Sequence, residues 1–358
     1  MTTGRGVLRP WDPIFWRDTN YGALNAVVGN TPPGALPATC PITDTLTDAL
    51  LNDVESMVIS GSYLFAASKG GDALLAIDIS DPANLTLVDS FTHADLNSPT
   101  DLAISGDYAF VTSDGSNALV AVDISDPTNM TYAGTSATIS MTGRCCVAIS
   151  GTHAFVTGDG SDFLFAVDIS NPASMTTSDT FTHGDMNNPR GIAISGSYAY
   201  VACGTSDALV SVDISTPSSM TFGDSVILTT DLDGAWGVAI DSGFAYVTAA
   251  STTGFVTAID ISNPLAMAYN DSLTEPELEN ARAIVISGTL AYVAGQTANA
   301  LVSVDISTPG SPLLAAALVD AEFDEAYAIA VSGEFIYVGT AGGAATNRIS
   351  SVHESCVV

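Results

Sequence analysis

With 358 residues and 47% hydrophobic side chains the chain can bury a large core, yet 39 acids against 8 bases leave a formal net charge of −31. That balance excludes nucleic acid and anionic membrane surfaces as expected partners, because both need a basic footprint. Membrane insertion is not expected either, since no apolar run approaches the roughly 18 residues of a span.

Such acidity keeps a protein in solution at the cost of self-repulsion and suits high salt, so a saline or halophilic source is expected. Residues 1–36 read as an extended N-terminal arm of different composition. Trp11, Phe15, Trp16 and Tyr21 lie beside Arg5, Arg9 and Arg17, which are three of the eight basic side chains. Pro10, Pro13, Pro32 and Pro33 deny the arm a regular helix. Aromatics and arginines are enriched among interface anchors, so the arm is a candidate docking element for other protein subunits. The competing reading wraps it around its own chain, its arginines answering the negative field. The start of the chain lacks the apolar core of a secretory signal, which fits a virion component that reaches the outside by lysis.

From residue 37 onward the chain is repetitive. Leu102 to Tyr132, LAISGDYAFVTSDGSNALVAVDISDPTNMTY, shows the unit. Its runs Leu102–Ser105, Tyr108–Val111, Ala118–Val122 and Met130–Tyr132 are β-branched or aromatic and bounded by Gly, Asp, Asn and Pro, which predicts four short strands. A Ser-Gly pair recurs with its glycine at Gly61, Gly106, Gly151, Gly196, Gly243, Gly288 and Gly333, every 45 residues except for one step of 47 before Gly243. The Asp of Asp-Ile-Ser follows each of the first six glycines by 17 residues, at Asp78, Asp123, Asp168, Asp213, Asp260 and Asp305. A fixed period of this size, with four strands in each, predicts an all-β fold, a seven-bladed propeller of four-stranded antiparallel blades.

The ends of the chain predict that the ring closes. The last unit stops before its fourth strand, and Pro37 to Leu46 aligns with the fourth strand at Pro82 to Phe91 with no inner strands ahead of it. Residues 37–54 are therefore the rim strand of blade seven and its connection. Blades one to six occupy about 55–99, 100–144, 145–189, 190–235, 236–281 and 282–326, and 327–358 supply the inner strands of blade seven. An open stack would instead want polar caps.

The recurring LLAIDISDP, LVAVDISDP, LFAVDISNP and LVSVDISTP, preceded by runs such as SGSYAYVA, resemble the LVIVD repeat family over Glu55 to Val358. The resemblance implies a β-propeller, usually in surface or secreted proteins, and no particular reaction.

Most recurrent polar residues read as scaffold. The Asp of Asp-Ile-Ser is placed to accept backbone N–H bonds at a Pro-containing turn, with His353 in its place in blade seven. Asp159-Gly-Ser-Asp162 would help bind Ca²⁺ but lacks the full loop of alternating ligands, so no metal site or cofactor is assigned. His93/Asp95 and His183/Asp185 fall in alternate blades and read as turn residues, not as a zinc pair. Cys40 and Cys356 flank one turn by repeat alignment; a disulfide there would lock the ring at a gain of roughly 2–4 kcal/mol, the alternative being buried free thiols. Cys203 reads as core.

The position just before each first strand should rim the central channel: Glu55, Thr100, Cys145, Arg190, Trp236, Arg282 and Tyr327 in blade order. Two arginines beside an indole, in an acidic chain, point to an anionic small ligand or a glycan, with forked donors for a carboxylate and a stacking face for a sugar. The competing reading pairs each arginine with Asp185, Asp231 or Asp233 on adjoining loops. No catalytic residues are assigned. The leading expectation is a non-enzymatic interaction or structural protein, extracellular or in a virion and binding a host surface or glycan. The alternatives are a channel-mouth hydrolase or lyase acting on an acidic sugar, and a cytoplasmic scaffold.

Overall fold

Alternation along each strand decides the architecture. In Tyr63–Ser68, Leu64 and Ala66 point one way and Phe65 and Ala67 the other, and all four are fully buried or nearly so. Leu64 and Ala66 pack with Tyr337 and Ile349 near the end of the chain. Phe65 and Ala67 pack with Leu102, Ala109 and Val111 of the next unit. A sheet apolar on both faces must lie between two others, and repetition of that requirement bends the row into a ring.

The computed structural model describes residues 42–136, 143–341 and 347–357. The chain divides into residues 1–40 and 41–358, and the arm expected at 1–36 lies outside the described residues. Among the described residues there are seven four-stranded antiparallel sheets. Blade one runs Val54–Ser60, Tyr63–Ser68, Ala73–Asp78 and Thr86–Thr92 from the axis outward. Blades two to six begin at Pro99, Val147, Pro189, Ala235 and Ala281. Blade seven joins Ala326–Ser332, Phe335–Thr340 and Arg348–His353 to Asp44–Thr47 from the other end of the chain. The register there is Asp44 opposite Ser351 and Thr47 opposite Arg348, so the ring closes as expected. Among the described residues no helix is long and apolar enough to cross a membrane.

Turn chemistry explains the one irregular step in the period. Ser60 pairs with Tyr63 across Gly61-Ser62, and Gly61 has φ +60°. That is the two-residue turn with glycine at its first central position. In blade five Asp241 pairs with Phe244 across Ser242-Gly243, and both have positive φ, 48° and 81°. The glycine has moved to the second central position, so part of the long step is a change of turn type. The Asp of Asp-Ile-Ser holds the exit of each third strand: Asp78 Oδ1 accepts from the Ser80 backbone N–H at 2.8 Å, and Asp123 and Asp213 repeat the contact with Ser125 and Ser215. Hydrogen bonds from the side chain of that serine, and then from its backbone N–H, hold all three carboxyls below their ordinary range. His353 Nδ1 accepts from Ser355 N–H in the same place.

Two recurrent features tie blade to blade and escaped the sequence reading. A buried apolar side chain plugs each described connection four residues ahead of the channel position: Leu51, Leu96, Met186, Leu232, Leu278 and Phe323, all fully buried. A carboxylate on the rim strand latches onto the next blade. Asp44 Oδ2 accepts from Leu85 N–H at 2.7 Å, Asp89 from Met130, Asp179 from Met220 and Asp224 from Met267. Blade two has Gly134 at this place, where an added Cβ would sit 2.3 Å from the Pro172 carbonyl oxygen of blade three. Cys356 is disulfide-bonded, and Cys40, its expected partner, lies outside the described residues. Cys145, Cys146 and Cys203 are free, and Cys203 fills an inter-blade core as expected.

The latch at the closing seam is testable. Asp44→Ala leaves the Leu85 N–H unpaired beside a packed seam, so urea unfolding should register a loss of about 1–3 kcal/mol. Asp107→Ala, in an exposed turn, should stay within about 0.5 kcal/mol. Equal effects at the two positions would mean that Asp44 closes nothing.

Candidate functional site at the central mouth

The inner strands carry a register shift at the channel end, and the channel side chains sit in it. The shift falls between Val54 and Ser56 in blade one, between Pro189 and Ile192 in blade four, and between Ala235 and Val238 in blade five. Blades two, six and seven shift at the corresponding place. A bulge puts an extra residue in one strand and re-aims its side chain. Glu55, Thr100, Arg190, Trp236, Arg282 and Tyr327 therefore lie inside the strands, not ahead of them as the sequence spacing suggested. Their backbones are fixed from the preceding blade: Thr157 Oγ1 donates to the Arg190 carbonyl at 2.8 Å and Thr248 Oγ1 to the Arg282 carbonyl at 3.0 Å.

Blade three departs from the others. Its inner strand starts only at Val147, and Cys145, which lines the cavity as expected, packs its side chain in the core between blades two and three. Arg144 supplies the charged side chain there. Gly143, with φ +80°, makes this turn; an added Cβ would stand 1.6 Å from Asp159 Oδ1. That oxygen accepts the Arg144 backbone N–H at 3.0 Å. Sequence alignment missed Arg144 because it stands one residue ahead of the repeat position; Gly143 matches the positive-φ residue of the other units, Asp53, Ser98, Asn188, Gly234, Asn280 and Glu325, and so gave no signal.

Arg144, Arg190 and Arg282, Trp236, Tyr327, Glu55 and the buried Asp101 line one cavity of about 230 Å³. The indole is the spacer between guanidiniums. Arg190 Cζ lies 4.1 Å and Arg282 Cζ 4.0 Å from its centroid, approaching from the blades on either side, and Arg144 Cζ is 4.2 Å from the Tyr327 ring. Tyr327 meets Trp236 edge-on at 6.3 Å and accepts a 2.6 Å hydrogen bond from Arg282. The expectation of a free indole face for a sugar is thereby corrected, since cation–π contacts occupy it.

The expected pairing of the arginines with loop aspartates is corrected as well. Asp185 accepts from Ser225 and Asp231 from Ser272. The carboxylate of the mouth is Glu55, whose side chain is 1% exposed and whose Oε2 pairs with Arg144; Lys69 Nζ stands 3.8 Å from Oε1. Arg190 Nε donates to Asn188 Oδ1 at 3.2 Å, while Arg282 Nε is buried with no partner. Burial, reinforced by repulsion from Arg144 and Arg190, pulls Arg282 down to about 10. Burial pushes Glu55 up to about 7 and outweighs the attraction of Arg144 and Lys69.

Of the remaining expected positions, Asp159 borders the mouth beside Arg144 and Arg190, and the histidines lie apart from it. His93 stacks on Tyr132 at 4.0 Å and His183 on Phe222 at 3.9 Å, each in its own turn. Asp159 and Asp162 spend an oxygen each on the backbone N–H of Arg144 and Asn188. Among the described residues no group of three or more His, Cys, Asp and Glu is placed to hold a metal ion. Arg5, Arg9, Trp11, Phe15, Trp16, Arg17 and Tyr21 lie outside the described residues.

The raised Glu55 fixes a sign. Its folded pKa lies above the unfolded value, so its contribution to stability is full below the ordinary carboxylate range and is lost as pH rises through about 7. Urea unfolding of the wild type should show stability falling between pH 5 and 8 by about 2–3 kcal/mol from this group. Glu55→Gln, which has nothing to ionise, should flatten that part of the curve; parallel curves would refute the assignment.

The LVIVD repeat model matches the chain seven times, at residues 52–93, 98–138, 144–182, 188–227, 234–274, 279–318 and 325–344. No curated protein matches. Among solved structures the chain is similar to Kuenenia stuttgartiensis hydrazine synthase, at 15% identity and TM-score 0.66, over 84% of this chain and 95% of that one. It is similar to a candidate 6-phosphogluconolactonase of Bacteroides uniformis, at 15% identity and TM-score 0.66, over 76% and 86%. It is also similar to the computationally designed protein Ika8, at 10% identity and TM-score 0.59, over 86% and 97%. At these identities the likeness is one of fold alone. The repeat matches, which span all seven blades and well over half of the sequence, make the chain a member of the LVIVD-repeat family.

Proposed function

We propose that this propeller is a non-enzymatic binding module, a surface-exposed component of an extracellular assembly such as a virion, and that its central mouth takes a small anionic ligand. One observation carries the ligand reading. Four of the eight basic side chains of a chain with net charge −31, Lys69, Arg144, Arg190 and Arg282, gather at one mouth. Arg282 Nε is buried there without a partner, and an unpaired buried donor costs on the order of 1–3 kcal/mol that an incoming anion would relieve. Guanidinium forks match carboxylate, sulfate and phosphate oxygens. An acidic group on a host glycan would present that chemistry, and docking to other subunits would fall to the arm.

Glu55 favours a second reading. A carboxyl that is half protonated near neutrality beside arginines suits general acid catalysis, and so a hydrolase or lyase acting on an acidic sugar.

Titration calorimetry at pH 6 with sulfate, phosphate and galacturonate separates these readings. Binding of at least one of them, weakened about tenfold or more by Arg190→Ala and by Arg282→Ala, supports capture; a loss of this size matches a charge-assisted bond. Wild-type binding that neither substitution changes would remove the mouth from the proposal. Release of new reducing or unsaturated ends from oligogalacturonate, abolished by Glu55→Gln, would replace capture with turnover.

A further inference from the structure

The regulation of this mouth follows from what already occupies it, and the inference rests on the anion-capture reading above. In the cavity of about 230 Å³, any anion that reaches Arg144 meets Glu55, whose Oε2 already holds that guanidinium. Two carboxylate-like charges in a closed, low-dielectric space cannot both stay ionised at ordinary cost. The other charged and titratable groups facing Glu55 are Asp53 on its own segment, Lys69 from the turn after the second strand of blade one, Asp101 of blade two, Cys146 beside Arg144 in blade three, and Arg282 of blade six.

These groups differ in their ability to take a proton. Burial pushes Asp101 up to about 6, but one of its oxygens accepts from the Leu102 N–H at 2.9 Å and the other from the Val147 N–H at 2.8 Å, so neither is without a donor. Asp159, raised by burial, spends one oxygen on the Arg144 N–H. Cys146 is a half-buried thiol that desolvation pushes far above its ordinary range, and so it already carries its proton. Glu55 alone among them has a buried oxygen, Oε1, with no hydrogen-bond partner, and Lys69 stands off from it at 3.8 Å.

We propose that an incoming anion replaces Glu55 on Arg144, and that Glu55 takes up one proton from solvent as it gives up the pair. Before the exchange the mouth holds an ionised Glu55 on Arg144. Afterwards it holds a carboxylic acid at Glu55 and the anion on Arg144. One O–H bond forms, no electrons move, and the net charge of the mouth is unchanged for a monoanion and one unit more negative for sulfate. Glu55 is thus a resident stand-in for the ligand, and the mouth opens to anions as pH falls.

Sulfate is the probe, because it keeps one charge state across the working range. Titration calorimetry of the full chain in buffers of different ionisation enthalpy should show uptake approaching one proton per sulfate at pH 8 and near none at pH 5.5. Affinity should fall about tenfold per pH unit above 7. Glu55→Gln, neutral at every pH, should bind sulfate with affinity that changes less than about threefold from pH 5.5 to 8. If that variant does not fold, the wild-type buffer series decides alone. Sulfate binding at pH 8 without proton uptake overturns this inference and leaves anion capture standing. No binding of sulfate, phosphate or galacturonate at any pH overturns both.

Discussion

Burial on both faces of every blade is the constraint from which the rest follows. Because Leu64 and Phe65, adjacent in one strand, must pack against different blades, no blade is complete alone and neither end of the row can be left bare. Closure through Asp44–Thr47 satisfies the last face, and the latch from Asp44 to Leu85 holds the seam with the same bond that Asp89, Asp179 and Asp224 make elsewhere. Once the ring is closed, the channel ends of the inner strands are forced to converge. The mouth is a consequence of closure, and its chemistry is set by which residue each blade places in the bulge.

The period made the fold legible. Seven Ser-Gly turns and six Asp-Ile-Ser exits are local signals, and local signals repeated this often survive drift in any one copy. The rim of the channel was legible for the same reason: all seven aligned positions, Cys145 included, line the cavity. Arg144 beside Cys145 was not legible, because the inner strand of blade three starts late, at Val147, and a period read from regular units does not see that. The partner of the arginines was also illegible. Loop aspartates were nearer in sequence, but Asp185 and Asp231 are held by serines, and the true counter-charge, Glu55, comes from 89 residues before Arg144. Contacts across the axis leave no trace in a repeat period.

The buried mouth shows how one site uses the same physics twice. Desolvation pulls Arg282 toward losing a proton and Glu55 toward gaining one, so both drift toward neutrality while still facing each other across a small space. Trp236 and Tyr327 hold the guanidiniums apart and supply electron-rich faces to cations that have few anions to meet. The arrangement tolerates three clustered arginines only because aromatic rings, one carboxylate and the bound backbone share the load.

A cationic cavity inside a chain of net charge −31 poses a problem of approach, since distant acids repel the anion that the mouth would hold. Salt resolves it unevenly. At about 0.15 M the screening length is roughly 8 Å, and at 1 M it is roughly 3 Å, so surface acids fade from view while buried guanidiniums, sheltered from mobile ions, keep their pull. The more saline the medium, the more the short-range chemistry of the mouth decides what enters, and the less the surface charge does. An acidic exterior and an arginine-lined centre are therefore compatible in one molecule at high salt.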